Sequence, residues 1–458
     1  MSKSGDMWEK AFRWIENTIG GTIINKVRQG RGRPAWFLEV EVNGKEIPLY
    51  WRGYRGDLPG GQPGIYAHYP IEREAKILRI MEDEGIPVPH VYGFCQDPVG
   101  ILMERAPGSP DFHHIADAQE RDSVARHFME SLALVHRISP EVFEGIGMAR
   151  PANGKEQALD DISHWEEVHR RTVNQPAPLI EFTLKWLHGN VPEKMGKTVL
   201  VHGDTGPGNF LSQDGRVTAI LDWEFAHLGD PMCDLALIRA RDLCYPFGDL
   251  RERFQMYSEL SGNPIDLQSL RYYSVRAMLN TPLGLFPVIH SDYPRGDVPE
   301  NLSWYVLFAR AMVECLAEAI GIELEEPYIP DPVITGRSPI FDVVIDSLRE
   351  GQLPRIDDSY RAYRMHSIIR LLEYLRLSEK LSPALDAEEL DDLGSVLGNR
   401  PANMAEGDHN LQQLVIESGP ERDGELVRYF YRRLKRQEAM LRPAMGEMAV
   451  TGTLSPIH

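Results

Sequence analysis

The chain has 458 residues, 42% hydrophobic and 26% charged, a globular composition in a chain too long for one ordinary core. Its formal charge of −19 argues against general nucleic-acid binding, which needs a basic face to displace counterions. No apolar run approaches the ~18 residues of a membrane span, and the stretch MSKSGDMWEKAFRWIENTIGG lacks the apolar core of a signal peptide.

Residues up to about Arg105 read as a small β-rich unit. WFLEVEVNGKEIPLYWRG is two strands around Asn43-Gly44, a dipeptide that favours a tight hairpin. IEREAKILRIMEDEG follows, with Ile71, Ala75, Leu78 and Ile80-Met81 at helical spacing and Gly85 as its stop. IPVPHVYGFC resumes in extended form, and GILMERAPG is a buried strand running into a connector.

From about Pro110 to Ile320 helical patterns dominate. SVARHFMESLALVHRI is one helix and LIEFTLKWLHGNVP another, stopped by Gly189 and Pro192. ELEEPYIPDPVITGRSP, with its four prolines, reads as a linker. Phe341 to about Arg442 is again helical, interrupted by a loop over Gly398–Asn410. The basic helix GELVRYFYRRLKRQEAM packs against the body of the protein or against a second subunit. The four cysteines, Cys95, Cys233, Cys244 and Cys315, form no CxxC pair. Free thiols in a reducing cytoplasm are the expectation.

The β-like part of the helical half is VHGDTGPGNFL followed by AILDWEF. TVLV is a short β-branched run, so Asp204 lies just past a strand end. Asp214-Gly215 is a hairpin turn signal. A turn there sets Gln213 opposite Arg216, Asn209 opposite Ile220, and Pro207 opposite Asp222. One loop and one hairpin therefore gather Asp204, Asn209 and Asp222. Two carboxylates and an amide oxygen are hard ligands suited to Mg²⁺, which takes the rest of its shell from water and phosphate. A separate carboxylate can orient a hydroxyl and accept its proton, so the chemistry indicated is phosphoryl transfer. Asp and Asn are also common loop residues, but three of them gathered by one hairpin favour function over turn chemistry.

These residues resemble the aminoglycoside phosphotransferase and choline kinase group. HGDxxxxN is present as His202, Gly203, Asp204 and Asn209, and DWE as Asp222, Trp223 and Glu224. HLGDPMCDLA, IEREAKILRIMEDEGIPVPHVYGFC and GILMERAPG extend the likeness, and WLHGNVPEKMGKTVLVHGD resembles the kinase-like domain fused to some acyl-CoA dehydrogenases. The resemblance implies an α+β, bilobal protein-kinase-like fold: a small antiparallel-sheet N-lobe (residues 1–105), a mainly helical C-lobe (106–330) and an extra C-terminal helical domain (331–458).

Carried over, Asp204 is the catalytic base, and Asn209 and Asp222 hold Mg²⁺. His202 braces the loop, and Glu224 either braces it or lies behind the metal. Asp230 and Asp234 cap a helix or brace a loop. The usual phosphate-binding lysine is here Arg52, paired with Glu74. Backbone groups around Met103, Glu104 and Arg105 meet the adenine. The glycine loop is reduced to Gly30 and Gly32, which let backbone amides approach phosphates.

The implied cofactors are Mg²⁺ and ATP, with GTP the alternative nucleotide. The implied partner is a small-molecule hydroxyl acceptor, most naturally a hydroxy acid or hydroxyacyl-CoA. An aminoglycoside or macrolide is the second reading, and a nucleotide-binding scaffold without turnover is the third. Association of copies through the C-terminal helical domain is left open.

Overall fold

The computed structural model describes residues 3–29, 34–54, 67–194, 196–292, 294 and 296–457. In chain order, helix α1 (Lys3–Ile19) precedes strands β1 (Thr22–Arg28), β2 (Ala35–Val42) and β3 (Lys45–Gly53). Helix α2 (Ile71–Asp83) leads to β4 (Val91–Gln96) and β5 (Val99–Glu104). Helices α3 (Ala118–Val135), α4 (Pro140–Glu144), α5 (Gly154–Thr172) and α6 (Pro178–Gly189) follow. Next come β6 (Val199–Val201), β7 (Phe210–Gln213), β8 (Arg216–Ile220) and β9 (His227–Gly229), then α7 (Pro231–Asp242) and α8 (Leu250–Ser261). The rest is helical: α9 (Leu267–Ile289), α10 (Val298–Ile320), α11 (Ser338–Asp346), α12 (Ser359–Leu397), α13 (Met404–Glu417), α14 (Asp423–Leu441) and α15 (Met448–Thr451). The fold class is α+β, as expected. Among the described residues no helix is long and apolar enough to cross a membrane.

The chain divides into two compact units. The first comprises Met1–Ala158, Lys194–Asp266 and Pro456–His458. Its five-stranded sheet has the order β1-β2-β3-β5-β4 with every neighbouring pair antiparallel. Adjacent residues of a strand point to opposite faces. On β3, Leu49 and Trp51 face a core shared with Leu38 and Val40 of β2 and with Phe12 and Ile15 of α1. Arg52, one residue on, therefore points the other way, toward α2. Asn43 (φ 51°) and Gly44 (φ 77°) both sit in the left-handed region, as the β2–β3 turn requires. The opening helix is a departure from the β-rich reading of this region. Its Trp8, Ala11, Phe12 and Ile15 recur at helical spacing and pack on the sheet core.

The second unit comprises Leu159–Glu193 and Leu267–Ser455 and, among the described residues, is entirely helical in its regular structure. Helix α10 packs on α9 and α14, and α12 packs on α14. Leu426 and Tyr429 of α14 are fully buried. Lys185 of α6 donates to the carbonyls of Val415 and Ile416 at 2.8 and 3.0 Å, satisfying the C-terminal end of α13. Residues 322–335 carry no regular element, in keeping with a proline-rich linker. The loop expected over Gly398–Asn410 is shorter, because α13 begins at Met404. Asn403 accepts from the Glu406 amide at 3.0 Å, and Glu406 accepts from the Ala402 amide at 2.8 Å. These two side-chain acceptors start the helix despite the surrounding Gly and Pro.

Candidate active site

Every described candidate residue lies in the first unit, on β3, α2, β5 or the residue that follows it, or the segment from β6 to β9. The segment is built around a turn. Asp214 (φ 51°) and Gly215 (φ 74°) form the expected tight hairpin between β7 and β8. Gln213 faces Arg216 and Ser212 faces Val217 as anticipated, but Leu211 pairs with Ala219, leaving Thr218 as a bulge. The register beyond it moves by one, so Phe210, not Asn209, faces Ile220. The Asn209 carbonyl instead accepts from the Leu221 amide at 2.8 Å. Ser212 also pairs outside the hairpin, exchanging amide hydrogen bonds with Ser109 at 3.0 Å each, and this second partner accompanies the local irregularity.

Asp204, Asn209 and Asp222 are brought to one end of the hairpin. Asn209 Nδ2 donates to the Asp204 carbonyl at 2.8 Å and to Asp204 Oδ2 at 2.6 Å. Asp222 follows Leu221 and holds φ 62°, ψ 50°. A non-glycine residue there is strained by about 1–3 kcal/mol, a cost often met at functional sites. Gly203 (φ 85°) allows the loop to pass the next turn of chain, since a Cβ would lie 2.3 Å from the Phe225 carbonyl oxygen.

His202 is buried and acts as a strut. Its Nε2 lies 2.8 Å from the Leu221 carbonyl, while Nδ1 accepts from the Asp204 amide at 3.2 Å. That pairing fits the neutral ring. Burial pushes its pKa below the ordinary 6.5, against the pull of Asp234, Asp204 and Asp222. Asp234, fully buried on α7, accepts from the amides of His202 (2.8 Å) and Gly203 (3.3 Å) and from the Thr205 hydroxyl. It also meets His136 Nε2 at 3.0 Å, and His136 Nδ1 meets the Tyr257 hydroxyl at 2.6 Å. Burial alone would raise the Asp234 pKa, but these partners, His136 first, hold it below the usual carboxylate range. Asp230 caps α7 by accepting from the Met232 amide at 2.8 Å. Both aspartates thus brace or cap, as expected.

Arg52 gathers three carboxylates. Its Nε is 3.1 Å from Glu74 Oε2, Nη1 is 2.5 Å from Asp222 Oδ1, and Nη2 is 3.6 Å from Glu224 Oε2. Burial disfavours its charge, but Asp222, Glu74 and Glu224 outweigh that and raise its pKa. Glu224, side chain 9% exposed, thus faces the guanidinium. On β5, Met103 is buried and pairs with Tyr50 and Val91. The amides of Glu104 and Arg105 donate to the carbonyls of His90 (2.8 Å) and Pro48 (3.1 Å), so the sheet already uses both donors. The Arg105 guanidinium lies over the Phe37 ring. Gly30 and Gly32 lie outside the described residues.

Sequence reasoning missed Arg241 of α7. Its Nη1 pairs with Asp204 Oδ1 at 2.7 Å, Nη2 donates to Asn209 Oδ1 at 3.2 Å, and Nε donates to the Pro207 carbonyl at 2.7 Å. Its distance in sequence from HGDxxxxN hides it, although basic residues in the last turn of a helix are a readable signal.

The comparisons agree with this architecture. Residues 61–273 match the model of the phosphotransferase enzyme family. Acyl-CoA dehydrogenase family member 11 of Rattus norvegicus is 27% identical over 224 residues, 46% of this chain and 27% of that protein. The chain thus aligns with under a third of that relative's length. Aminoglycoside 3'-phosphotransferase of Enterococcus faecalis is 24% identical over 217 residues, 45% of this chain and 77% of that protein. The crystal structure of a putative aminoglycoside phosphotransferase from Ralstonia eutropha superposes with a TM-score of 0.52 at 18% identity. It covers 67% of this chain and 97% of that one. The fold is the kinase-like fold of these phosphotransferases.

Proposed function

With a phosphotransferase-family domain over residues 61–273 as the premise, we propose that this chain transfers the γ-phosphoryl group of ATP to a hydroxyl of a small molecule. The observation that carries the reading is the pairing of Asp204 with Asn209 at the end of the hairpin from which Asp222 emerges. Asp204 is the base: it takes the proton of the acceptor hydroxyl as that oxygen bonds to the γ-phosphorus. The bond from phosphorus to the bridging β-γ oxygen breaks, and ADP leaves.

Asn209 and Asp222 offer hard oxygen donors that fit Mg²⁺. Bound there, the ion supplies charge neutralisation on the phosphates. Arg52, oriented by Glu74 and Glu224, presents a planar fork to phosphate oxygens in place of a lysine's point charge. His202 holds the loop. Gly30 and Gly32 remain the candidate phosphate loop, and the chain around Met103, Glu104 and Arg105 the candidate adenine contact, with GTP as the alternative nucleotide. The three-part division at 105 and 330 and a cytoplasmic location belong to the same proposal.

For the acceptor, a hydroxy acid or hydroxyacyl-CoA is the first choice, supported by similarity to a relative named for acyl-CoA dehydrogenase. An aminoglycoside is the second, supported by the match to an aminoglycoside phosphotransferase and by a charge of −19 that suits a polycation. The test is ADP formation from Mg²⁺-ATP across hydroxy acids, their CoA esters, aminoglycosides and macrolides, with Asp204→Ala alongside. Acceptor-dependent ADP in one class, lost in the variant, is the expected result. Mg²⁺-ATP binding without turnover on any acceptor would favour the scaffold reading, and absence of nucleotide binding would overturn both.

A further inference from the structure

Arg241 runs along the loop that carries Asp204 and Asn209, and the loop is shaped to admit it. Gly208 holds φ 88°, and a Cβ there would lie 2.7 Å from Arg241 Nη2. Gly206 holds φ 133°, and its Cβ would meet Arg241 Cδ at 3.3 Å. The side chain is 17% exposed, and its guanidinium lies 5.8 Å from the Tyr245 ring centroid. Its three acceptors are Asp204 Oδ1, Asn209 Oδ1 and the Pro207 carbonyl, all on this loop. Two of the three are the oxygens assigned above to proton acceptance and to metal binding.

We propose that Arg241 is a positioning residue for phosphoryl transfer, which sets the Asp204 carboxylate while occupying the Asn209 oxygen that a divalent cation must claim. The inference rests on the phosphotransferase reading and deepens it. A guanidinium stays charged and its donors have fixed geometry. It therefore holds carboxylate and amide in one relative orientation, where misplacement of about 1 Å can cost ~10²-fold in rate. The same cation repels a divalent ion and competes for Asn209 Oδ1. Orientation and competition pull in opposite directions when the residue is removed. Loss of a merely structural contact would disorder the loop and weaken metal binding and turnover together.

The experiment compares wild type, Arg241→Ala and Arg241→Lys in the full chain. It reads Mn²⁺ affinity in the presence of ADP, acceptor-dependent turnover as kcat and KM, and the thermal midpoint as a folding control. Arg241→Ala is expected to bind Mn²⁺ about threefold to tenfold tighter, because a nearby positive charge is gone, while kcat falls about a hundredfold with KM little changed. Arg241→Lys keeps the charge but not the fork, so its Mn²⁺ affinity stays near wild type and its kcat lies between the two. Wild-type kcat in Arg241→Ala, or Mn²⁺ affinity and kcat falling together, overturns the inference while leaving an active wild type as a phosphotransferase. A wild type that turns over no acceptor overturns the reading itself, and with it the positioning role.

Discussion

Asn209 Nδ2 donates to both the carbonyl and the carboxylate of Asp204. The amide thereby fixes the backbone and the side chain of the residue five places before it. Asp204→Asn keeps much of the shape and removes the base. Its kcat is expected to fall about 10²- to 10⁴-fold, with nucleotide affinity within a fewfold of wild type. Steady-state kinetics beside a nucleotide titration checks this, and an unchanged kcat would remove Asp204 from the proposed chemistry.

Arg52 is the counter-ion for Glu74, Asp222 and Glu224. Arg52→Ala removes this cation from the buried carboxylates of Glu74 and Glu224 and is expected to cost about 3–5 kcal/mol of stability. Urea denaturation reads the loss. Arg52→Ala combined with Glu74→Gln should recover part of it, since one of the charges that Arg52 balances is removed with the cation.

His202 gives a pH prediction. Its folded pKa lies below 6.5, chiefly through burial. Below pH 6.5 the unfolded chain therefore takes up a proton that the folded chain refuses, and stability falls as pH drops. His202→Gln removes that contribution and should flatten the slope of unfolding free energy between pH 6.5 and lower values, measured by denaturant titration at several pH values. His127, His169 and His290 are shifted the same way and contribute to the slope that remains.

Gly203→Ala tests the loop directly. The added Cβ would meet the Phe225 carbonyl at 2.3 Å, on a residue held at φ 85°. Strain of this kind costs about 1–3 kcal/mol. The expected outcome is a lowered thermal midpoint together with reduced turnover, whereas a wild-type midpoint and wild-type turnover would mean that the loop tolerates the shift.

The legible parts of this molecule were those encoded locally. Asn43-Gly44 and Asp214-Gly215 announced their turns because both central residues must take positive φ. Asp204, Asn209 and Asp222 could be placed together because one hairpin links them. The bulge at Thr218 was not readable from the hairpin alone, since the turn fixes register only at its own end and Ser212 has a partner outside the hairpin. Arg241 was missed because its contacts with Asp204 and Asn209 depend on where α7 is docked. The start of α13 was present in the sequence as Asn403 followed by Glu406, and the neighbouring Gly and Pro obscured it.

The bulge also sets which changes of length this hairpin can absorb. A residue gained or lost at the tip, around Asp214-Gly215, changes the turn and can be accommodated there. Loss of Thr218 would restore an even ladder with Leu211 still opposite Ala219 and Phe210 still opposite Ile220, so Asp222 would keep its place relative to Asn209. A second loss from β8 would find no such slack and would draw Asp222 back by one place, onto the opposite face of the strand and away from Arg52. The bulge is therefore one residue of slack between the turn and Asp222, and β8 should tolerate a single deletion better than an insertion or a second deletion.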